Sequence, residues 1–129
     1  MEKQSLIDIA TEARTHAYVP HSSFSVGAAL LAADGRVFTG CNVENVSFGL
    51  TICAERVAVG SAIAAGSRLF QAMVVISDSV EPVLPCGACR QVIAEFAPDL
   101  RIISATMAGI VTEFDLATLL PSPRQGILG

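Results

Sequence analysis

Apolar residues recur at helical spacing near the start of the chain. Drawn on a helix they fall on one face, which carries Leu6, Ile9, Ala10, Ala13 and Ala17. Ser5 stands just before them and is followed three residues later by Asp8, a spacing that resembles a capping box. The pattern predicts a first helix over residues 5–18.

Two apolar segments then flank a tight-turn signal. Residues 24–33 and 36–42 lie on either side of Asp34-Gly35, a dipeptide typical of short β-hairpin turns. The two segments are predicted to be the first two strands, paired antiparallel.

Helices and strands alternate over the rest of the chain. Residues 53–65 are small residues, good helix formers or helix-compatible aliphatics and are followed by Gly66, which predicts a second helix. Residues 72–77 form a short apolar run typical of a central strand buried on both faces. The remaining predictions are a helix over 86–96, strands over 100–105 and 110–113, and a short helix capped by Asp115 that runs to Leu120.

The connections between these elements predict the strand directions. Helical crossovers join strands 2, 3 and 4, which makes these three strands parallel. Strands 4 and 5 are separated by too few residues for a crossover, so they are expected to be antiparallel. The fold class is therefore α/β, with a mixed sheet and helices on its faces.

Composition narrows the class of protein. The chain has 129 residues, of which 52% are hydrophobic and 16% charged, which excludes disorder and predicts a single domain over 1–129. The longest apolar stretch, residues 28–33, is far shorter than the roughly 20 residues of a membrane-spanning helix. The net charge of −4 and the scattered basic residues give no electrostatic footprint for nucleic acid. With no signal-peptide pattern at the N-terminus, we expect a cytoplasmic protein.

The second predicted helix is apolar nearly all round. Residues 57–65 have almost no polar face, although a helix on the surface of a monomer would show one. A symmetric oligomer could cover that second face with a copy of itself, and the small residues would allow close approach. The apolar excess therefore predicts an assembly.

The cysteines are the strongest chemical signal. Cys53 is followed about thirty residues later by Cys86 and Cys89. Three thiolates leave the fourth position of a zinc tetrahedron for water or substrate, as in catalytic sites, whereas structural zinc sites have four protein ligands. Cys41 is either a fourth ligand or an ordinary buried apolar residue at a strand end.

The three cysteines open two predicted helices, whose positive N-terminal ends favour thiolates. Glu55 follows Cys53 by two residues, and residues two apart on a helix point nearly opposite ways. Both can face one metal only if Cys53 lies in the very first turn. Glu55 is then either a proton carrier beside the metal or simply a favourable residue at a helix start.

Three thiolates carry one more charge than zinc neutralises, so a cation is expected beside them. Arg56 and Arg90 each follow a site residue directly. Either guanidinium could donate to a thiolate sulfur, or it could be a solvated surface charge.

These motifs resemble those of small homotetrameric cytidine deaminases, zinc enzymes that hydrolyse free cytidine and deoxycytidine to uridine and deoxyuridine plus ammonia. The resemblance extends from the N-terminal helix to residue 121 and is carried by segments 24–29, 40–45, 51–56 and 85–91. It implies a three-layer α/β/α fold with a mixed five-stranded sheet, strands 4 and 5 being antiparallel. It also implies one zinc ion per subunit and a homotetramer with sites near subunit interfaces.

The resemblance assigns roles to individual residues. It implies zinc ligation by Cys53, Cys86 and Cys89, general acid/base catalysis by Glu55, pyrimidine packing by Phe24, a ribose 3′-hydroxyl held by Asn42 and Glu44, and a backbone contact to the base from Ala54. Arg56 is expected to donate a hydrogen bond to a thiolate sulfur and so to offset its charge. In the family a histidine often replaces the first cysteine when the substrate is a nucleotide or polynucleotide, so Cys53 favours a free nucleoside.

The sequence departs from the family pattern in three places. His21 and Phe48 stand where tyrosine is frequent, and the segment after residue 121 lacks the aromatic that lies over a neighbouring site. Arg124 stands in that segment, where it could stack on the base in place of the aromatic or belong to a frayed tail.

Other functions remain open on the sequence alone. One is deamination of another aminopyrimidine nucleoside, such as blasticidin S. A zinc-stabilised interaction module would be expected to show a fourth ligand and no placed glutamate. A thioredoxin-like redox role for Cys86 and Cys89 would leave Cys53 and Glu55 unexplained.

Overall fold

The computed structural model describes residues 1–123. The helices are α1 (Lys3–Arg14), α2 (Ala54–Ala64), α3 (Gly87–Phe96) and α4 (Leu116–Leu119). The strands are β1 (Val26–Ala32), β2 (Val37–Cys41), β3 (Phe70–Ser77), β4 (Arg101–Thr106) and β5 (Val111–Asp115). Among these residues no helix is both long and apolar enough to cross a membrane.

The five strands form one mixed sheet in the order β2-β1-β3-β4-β5. Strand β1 pairs antiparallel with both β2 and β3, so β2 and β3 run in the same direction. Strand β3 pairs parallel with β4, and β4 pairs antiparallel with β5. The predicted strand directions are therefore confirmed.

Helices cover both faces of the sheet and divide the core into two clusters. Alternate residues of β1 and β3 point to opposite faces, as the two-residue period of a strand requires. Val26, Leu30, Met73 and Val75 pack under α2 and α3, whereas the neighbouring positions of these strands pack under α1. Strand β3 is central and buried on both faces, as its apolar run predicts.

The turns form where the sequence places them. Gly35 in the β1–β2 hairpin has φ +92°, and Gly66 after α2 has φ +85°, a region that only glycine adopts without strain. The backbone N–H of Ser67 donates to the carbonyl of Ala62 at 2.9 Å and so closes the end of α2.

The boundaries predicted for the first helix are wrong at both ends. Helix α1 begins at Lys3 with Glu2 as N-cap, so Ser5 lies inside the helix and caps nothing. The helix ends at Arg14. Beyond it the chain departs from the helix axis, and the Tyr18 N–H donates to the carbonyl of Asn42. That contact is long-range, so the local spacing of apolar residues carries no sign of it. Asp115 occupies the N-cap position of α4 but makes no side-chain capping bond.

Candidate active site

The three cysteines of the predicted metal site lie at two helix N-termini. Cys53 is the N-cap of α2 and Cys86 the N-cap of α3, and Cys89 lies in the first turn of α3. Cys53 has extended backbone angles, φ −71° and ψ 153°. The condition that Cys53 lie at the very start of its helix is therefore met. Both helices follow strands that run in the same direction, so their N-termini meet at one edge of the sheet.

The spacing of the three sulfurs suits a tetrahedral metal ion. The Sγ atoms of Cys53 and Cys86 are 3.8 Å apart, those of Cys86 and Cys89 are 3.5 Å apart, and all three lie within 4.8 Å of one another. Zinc–sulfur bonds of about 2.3 Å in a regular tetrahedron place the sulfurs about 3.8 Å apart. Cys41 is not part of this cluster. It is a half-buried free thiol, so of its two predicted roles the structure favours the apolar residue at a strand end over the fourth metal ligand.

Hydrogen bonds and charge favour a thiolate at the first cysteine. The pKa of Cys53 falls to about 5, mainly because the Cys89 thiol donates to its sulfur, and the Arg56 guanidinium adds to the effect. The same hydrogen bond, together with burial, raises the pKa of Cys89. A sulfur that is already ionised is ready to bind a metal.

Glu55 is a buried carboxyl group beside these sulfurs. It lies in the first turn of α2 and is only 5% exposed. Burial is the main reason that its pKa rises from 4.5 to about 7, and the negative charge of Cys53 contributes to that rise. A carboxyl group that titrates near neutrality can both accept and donate a proton at that pH.

The two arginines differ in what they contact. Arg56 Nη2 lies 3.5 Å from Cys53 Sγ and also donates to the carbonyl of Thr51. Arg90 instead donates from Nε to the carbonyl of Pro85 at 2.7 Å and from Nη1 to the carbonyl of Leu119 at 3.0 Å. Neither prediction for Arg90, a bond to a thiolate or a solvated charge, is therefore correct. Its guanidinium ties the start of α3 to the end of α4.

A cavity of about 230 Å³ opens above the sulfurs and Glu55. Phe24, Asn42 and Ala54 line it together with Cys53 and Cys86. The volume is below the roughly 300–1,000 Å³ of pockets that enclose a whole small molecule. A nucleoside seated here would therefore extend beyond the walls that this one chain supplies.

Asn42 holds the segment that carries Phe24. Its Nδ2 donates to the carbonyl of Phe24 at 2.8 Å, and its Oδ1 accepts from Val26 N–H at 2.9 Å. The amide therefore keeps one N–H and one lone pair for another partner. This contribution to the shape of the site has no signal in the sequence, because residues 24 and 42 meet only through strand pairing.

Glu44 lies outside the residues that line the cavity. Its carboxylate accepts hydrogen bonds from the backbone N–H groups of His21 and Ser22 and from the Ser22 hydroxyl. The Ser22 hydroxyl is the main cause of a lowered Glu44 pKa. His21 packs edge-on against Phe48 with ring centroids 6.1 Å apart, so two positions where the family often has tyrosine are neighbours.

Four apolar residues of the cavity wall were not predicted from the sequence: Val26 and Val75 on the central strands, and two more in the loop before α3. Val83 and Leu84 line the cavity from the loop before α3. The Val83 carbonyl accepts from the Ser104 hydroxyl at 2.7 Å, which anchors this loop to β4. The position of Val83 and Leu84 just before Pro85 and Cys86 is the only sequence signal that could have pointed to these two. Arg124, a candidate for stacking on a base, lies outside the described residues.

Comparisons with known proteins give consistent matches to one family. The family described as the cytidine and deoxycytidylate deaminase zinc-binding region matches residues 1–105. A cytidine deaminase of Halalkalibacterium halodurans is 49% identical over 122 residues, which cover 94% of this chain and 92% of that protein. The crystal structure of cytidine deaminase from Burkholderia pseudomallei has a TM-score of 0.92 and 49% identity, covering 95% of this chain and 98% of the other.

A more distant relative has another substrate in its name. A blasticidin-S deaminase of Bacillus cereus is 32% identical over 124 residues, covering 90% of this chain and 87% of that protein. The family resemblance and the α/β fold expected from it are both confirmed by the nearer relatives. Cys53, Cys86 and Cys89 are positioned to bind the zinc ion of the matched region. The chain belongs to the cytidine and deoxycytidylate deaminase family.

Proposed function

We propose that this protein hydrolyses free cytidine and deoxycytidine to uridine and deoxyuridine, with release of ammonia. The observation that carries the proposal is a buried Glu55 on the first turn of α2, beside three sulfurs at zinc-ligand spacing and at the base of a cavity. The cytidine deaminases that match over nearly the whole chain support the same reaction.

Zinc held by Cys53, Cys86 and Cys89 would supply a Lewis acid that makes a water molecule acidic enough to act as a nucleophile near neutral pH. Glu55 accepts a proton from the attacking water and delivers it to N3 of the pyrimidine. The same carboxylate then takes the second proton of that water, from the hydroxyl now on C4, and passes it to the amino group. The C4–N bond breaks, the C4–O group becomes a carbonyl, and ammonia leaves. One water molecule is consumed for each ammonia released, so no further reactant is needed.

Arg56 offsets part of the negative charge on the cysteine ligands. Three thiolates exceed the charge of zinc by one, and such an excess weakens the metal as a Lewis acid. The guanidinium 3.5 Å from Cys53 Sγ withdraws negative charge from that sulfur. We assign it a supporting role beside the metal ligands.

The residues of the cavity wall are proposed to bind the nucleoside. Phe24 packs on the pyrimidine ring, and the backbone of Ala54, in the cavity wall, meets the polar edge of the base. The free N–H of Asn42 donates to the ribose 3′-hydroxyl, and Glu44 accepts the proton of the same hydroxyl with a lone pair that Ser22 leaves open. Removing Phe24 is therefore expected to raise KM more than it lowers kcat.

A homotetramer is the proposed assembly, with sites near the subunit interfaces. Helix α2 exposes Gly60, Ser61 and Ala64 along one side, and these small residues allow a second helix to approach closely. In the segment between β2 and α2, Val46 and Phe48 are 82% and 77% exposed. Sedimentation should then give four times the 13.4 kDa of the chain. Four free cysteines suit a reducing compartment, and we place the protein in the cytoplasm.

The second candidate is deamination of a related aminopyrimidine nucleoside, which the blasticidin-S deaminase relative favours. Metal analysis of the purified protein, followed by absorbance assays with cytidine, deoxycytidine and blasticidin S, separates the candidates. The proposal expects one zinc per chain and turnover of the first two substrates. Zinc without turnover of any substrate would favour an interaction module, and turnover of blasticidin S alone would favour the second candidate.

A further inference from the structure

Two glycines of the sheet bring a helix backbone into direct contact with a strand. Within residues 1–123, only Gly27 and Gly40 would place an added Cβ closer than 3.0 Å to another atom. Neither has a positive φ, so backbone strain does not explain them. Glycine also weakens a strand, since it adds conformational entropy to the unfolded chain and packs no side chain. The close approach itself is the reason for a glycine at each position.

At Gly40 the neighbour is the first turn of α2. A Cβ there would lie 2.2 Å from the Ala54 carbonyl oxygen, 2.5 Å from Ala58 N and 3.1 Å from Val57 Cβ. Ala54 and Ala58 are four residues apart, so the Cβ would strike an intrahelical hydrogen-bonded pair, which cannot rotate away as a flexible side chain can. The turn it strikes begins at Cys53 and contains Glu55.

We propose that Gly40 is a positioning residue: its missing side chain lets the start of α2 lie against β2, and this contact holds Cys53 and Glu55 in register with Cys86 and Cys89. The proposal rests on the zinc site described above. All three atoms nearest to the added Cβ belong to α2. The start of α3 is held by other contacts, from Arg90 to Pro85 and Leu119. A displacement at Gly40 therefore moves one half of the site and leaves the other half in place.

The size of the displacement follows from the overlap. An ordinary contact begins at 3.4 Å, so the Ala54 oxygen at 2.2 Å has to retreat by about 1.2 Å. A misplacement of about 1 Å costs roughly 10²-fold in rate even when the mutation lies away from the chemistry. Disturbed support of a metal ligand weakens metal affinity by about tenfold or more.

Gly27 is the matched control. A Cβ there would lie 2.1 Å from the Ala10 carbonyl oxygen and 2.7 Å from Arg14 N, both in α1. The overlap is as severe as at Gly40, but α1 carries none of the cysteines and not Glu55. Gly27→Ala and Gly40→Ala should therefore lower the melting temperature of the zinc-free protein to a similar extent.

The test compares the zinc affinity of the two variants by competition with a chelator, and kcat per folded chain. Gly40→Ala should bind zinc about tenfold more weakly and lose roughly 10² in kcat, while Gly27→Ala stays within about threefold of the original protein in both. Equal effects of the two variants, or an unchanged zinc affinity in Gly40→Ala, would overturn the proposal.

Either variant could be too unstable to fold under ordinary conditions, so the same experiment includes a stabilising condition. The measurements are repeated in trimethylamine N-oxide, an excluded osmolyte that favours the folded state. If Gly40→Ala stays unfolded in the osmolyte while Gly27→Ala folds, the chain needs Gly40 in order to fold, and the positioning role is refuted. If the original protein binds zinc but does not deaminate cytidine, the proposed function fails, and the zinc affinities still decide the role of Gly40.

Discussion

Replacing Glu55 with glutamine should separate the chemistry of the site from its stability. The amide has nearly the shape of the carboxyl group, and the position is only 5% exposed, so packing is retained. The change removes the one group whose pKa burial raises from 4.5 to about 7. We expect the variant to be less active and, in the zinc-free protein, more stable.

The stability gain follows from the raised pKa. The folded state keeps its proton on Glu55 up to about pH 7, whereas the unfolded state loses it near pH 4.5. The free energy of unfolding therefore falls as the pH rises through this window, because the unfolded state releases its proton first. A difference of about 2.5 pKa units corresponds to about 3 kcal/mol at pH 8 and to under about 1 kcal/mol at pH 5. Glutamine does not ionise, so Glu55→Gln should recover these amounts.

The loss of activity follows from the proton that glutamine cannot carry. General acid/base catalysis contributes roughly 10²–10⁴-fold, so kcat should fall by that factor in Glu55→Gln loaded with zinc. This equals roughly 3–5 kcal/mol of activation free energy. Substrate binding uses the cavity walls instead, so KM should change much less than kcat.

The assays are urea unfolding of the reduced, zinc-free protein near pH 5 and pH 8, and the absorbance change of cytidine for the zinc-loaded protein. Glu81→Gln is the control, because Glu81 is exposed and does not line the cavity. Glu81→Gln should change neither measurement. Activity of Glu55→Gln within about tenfold of the original, with zinc retained, would refute the proton-carrying role. A stability gain that is equal at both pH values would refute the burial argument.

Three further substitutions, one of them with a matched control, test the rest of the site. Cys53→Ala should lose bound zinc together with activity, whereas Cys41→Ala should keep both, as metal analysis would show. Arg56→Met should keep zinc but lower kcat by roughly tenfold, because the guanidinium no longer offsets the charge of Cys53; an unchanged kcat would contradict its role. Asn42→Ala leaves Val26 N–H without its partner and should cost about 1–3 kcal/mol in urea unfolding, together with a raised KM.

Much of this molecule is readable from local signals. Asp34-Gly35 predicts a hairpin, and Gly66 predicts the end of α2, because each depends on backbone angles set within a few residues. The chemistry of Cys53, Glu55 and Cys86 is visible for a similar reason. Metal ligands at two helix starts require a cysteine at the first position of each helix, and that requirement appears directly in the spacing.

What the sequence by itself determined is therefore the succession of helices and strands, the strand directions and the three cysteines that form the candidate metal site. The tertiary structure alone decided the strand order, the early start of α1, the partners of Arg90 and the contact of Gly40 with α2. Each of these depends on groups that are distant in the chain and become neighbours only when the sheet and its helices pack. Periodicity and spacing describe a residue's near neighbours, so they carry no record of such contacts.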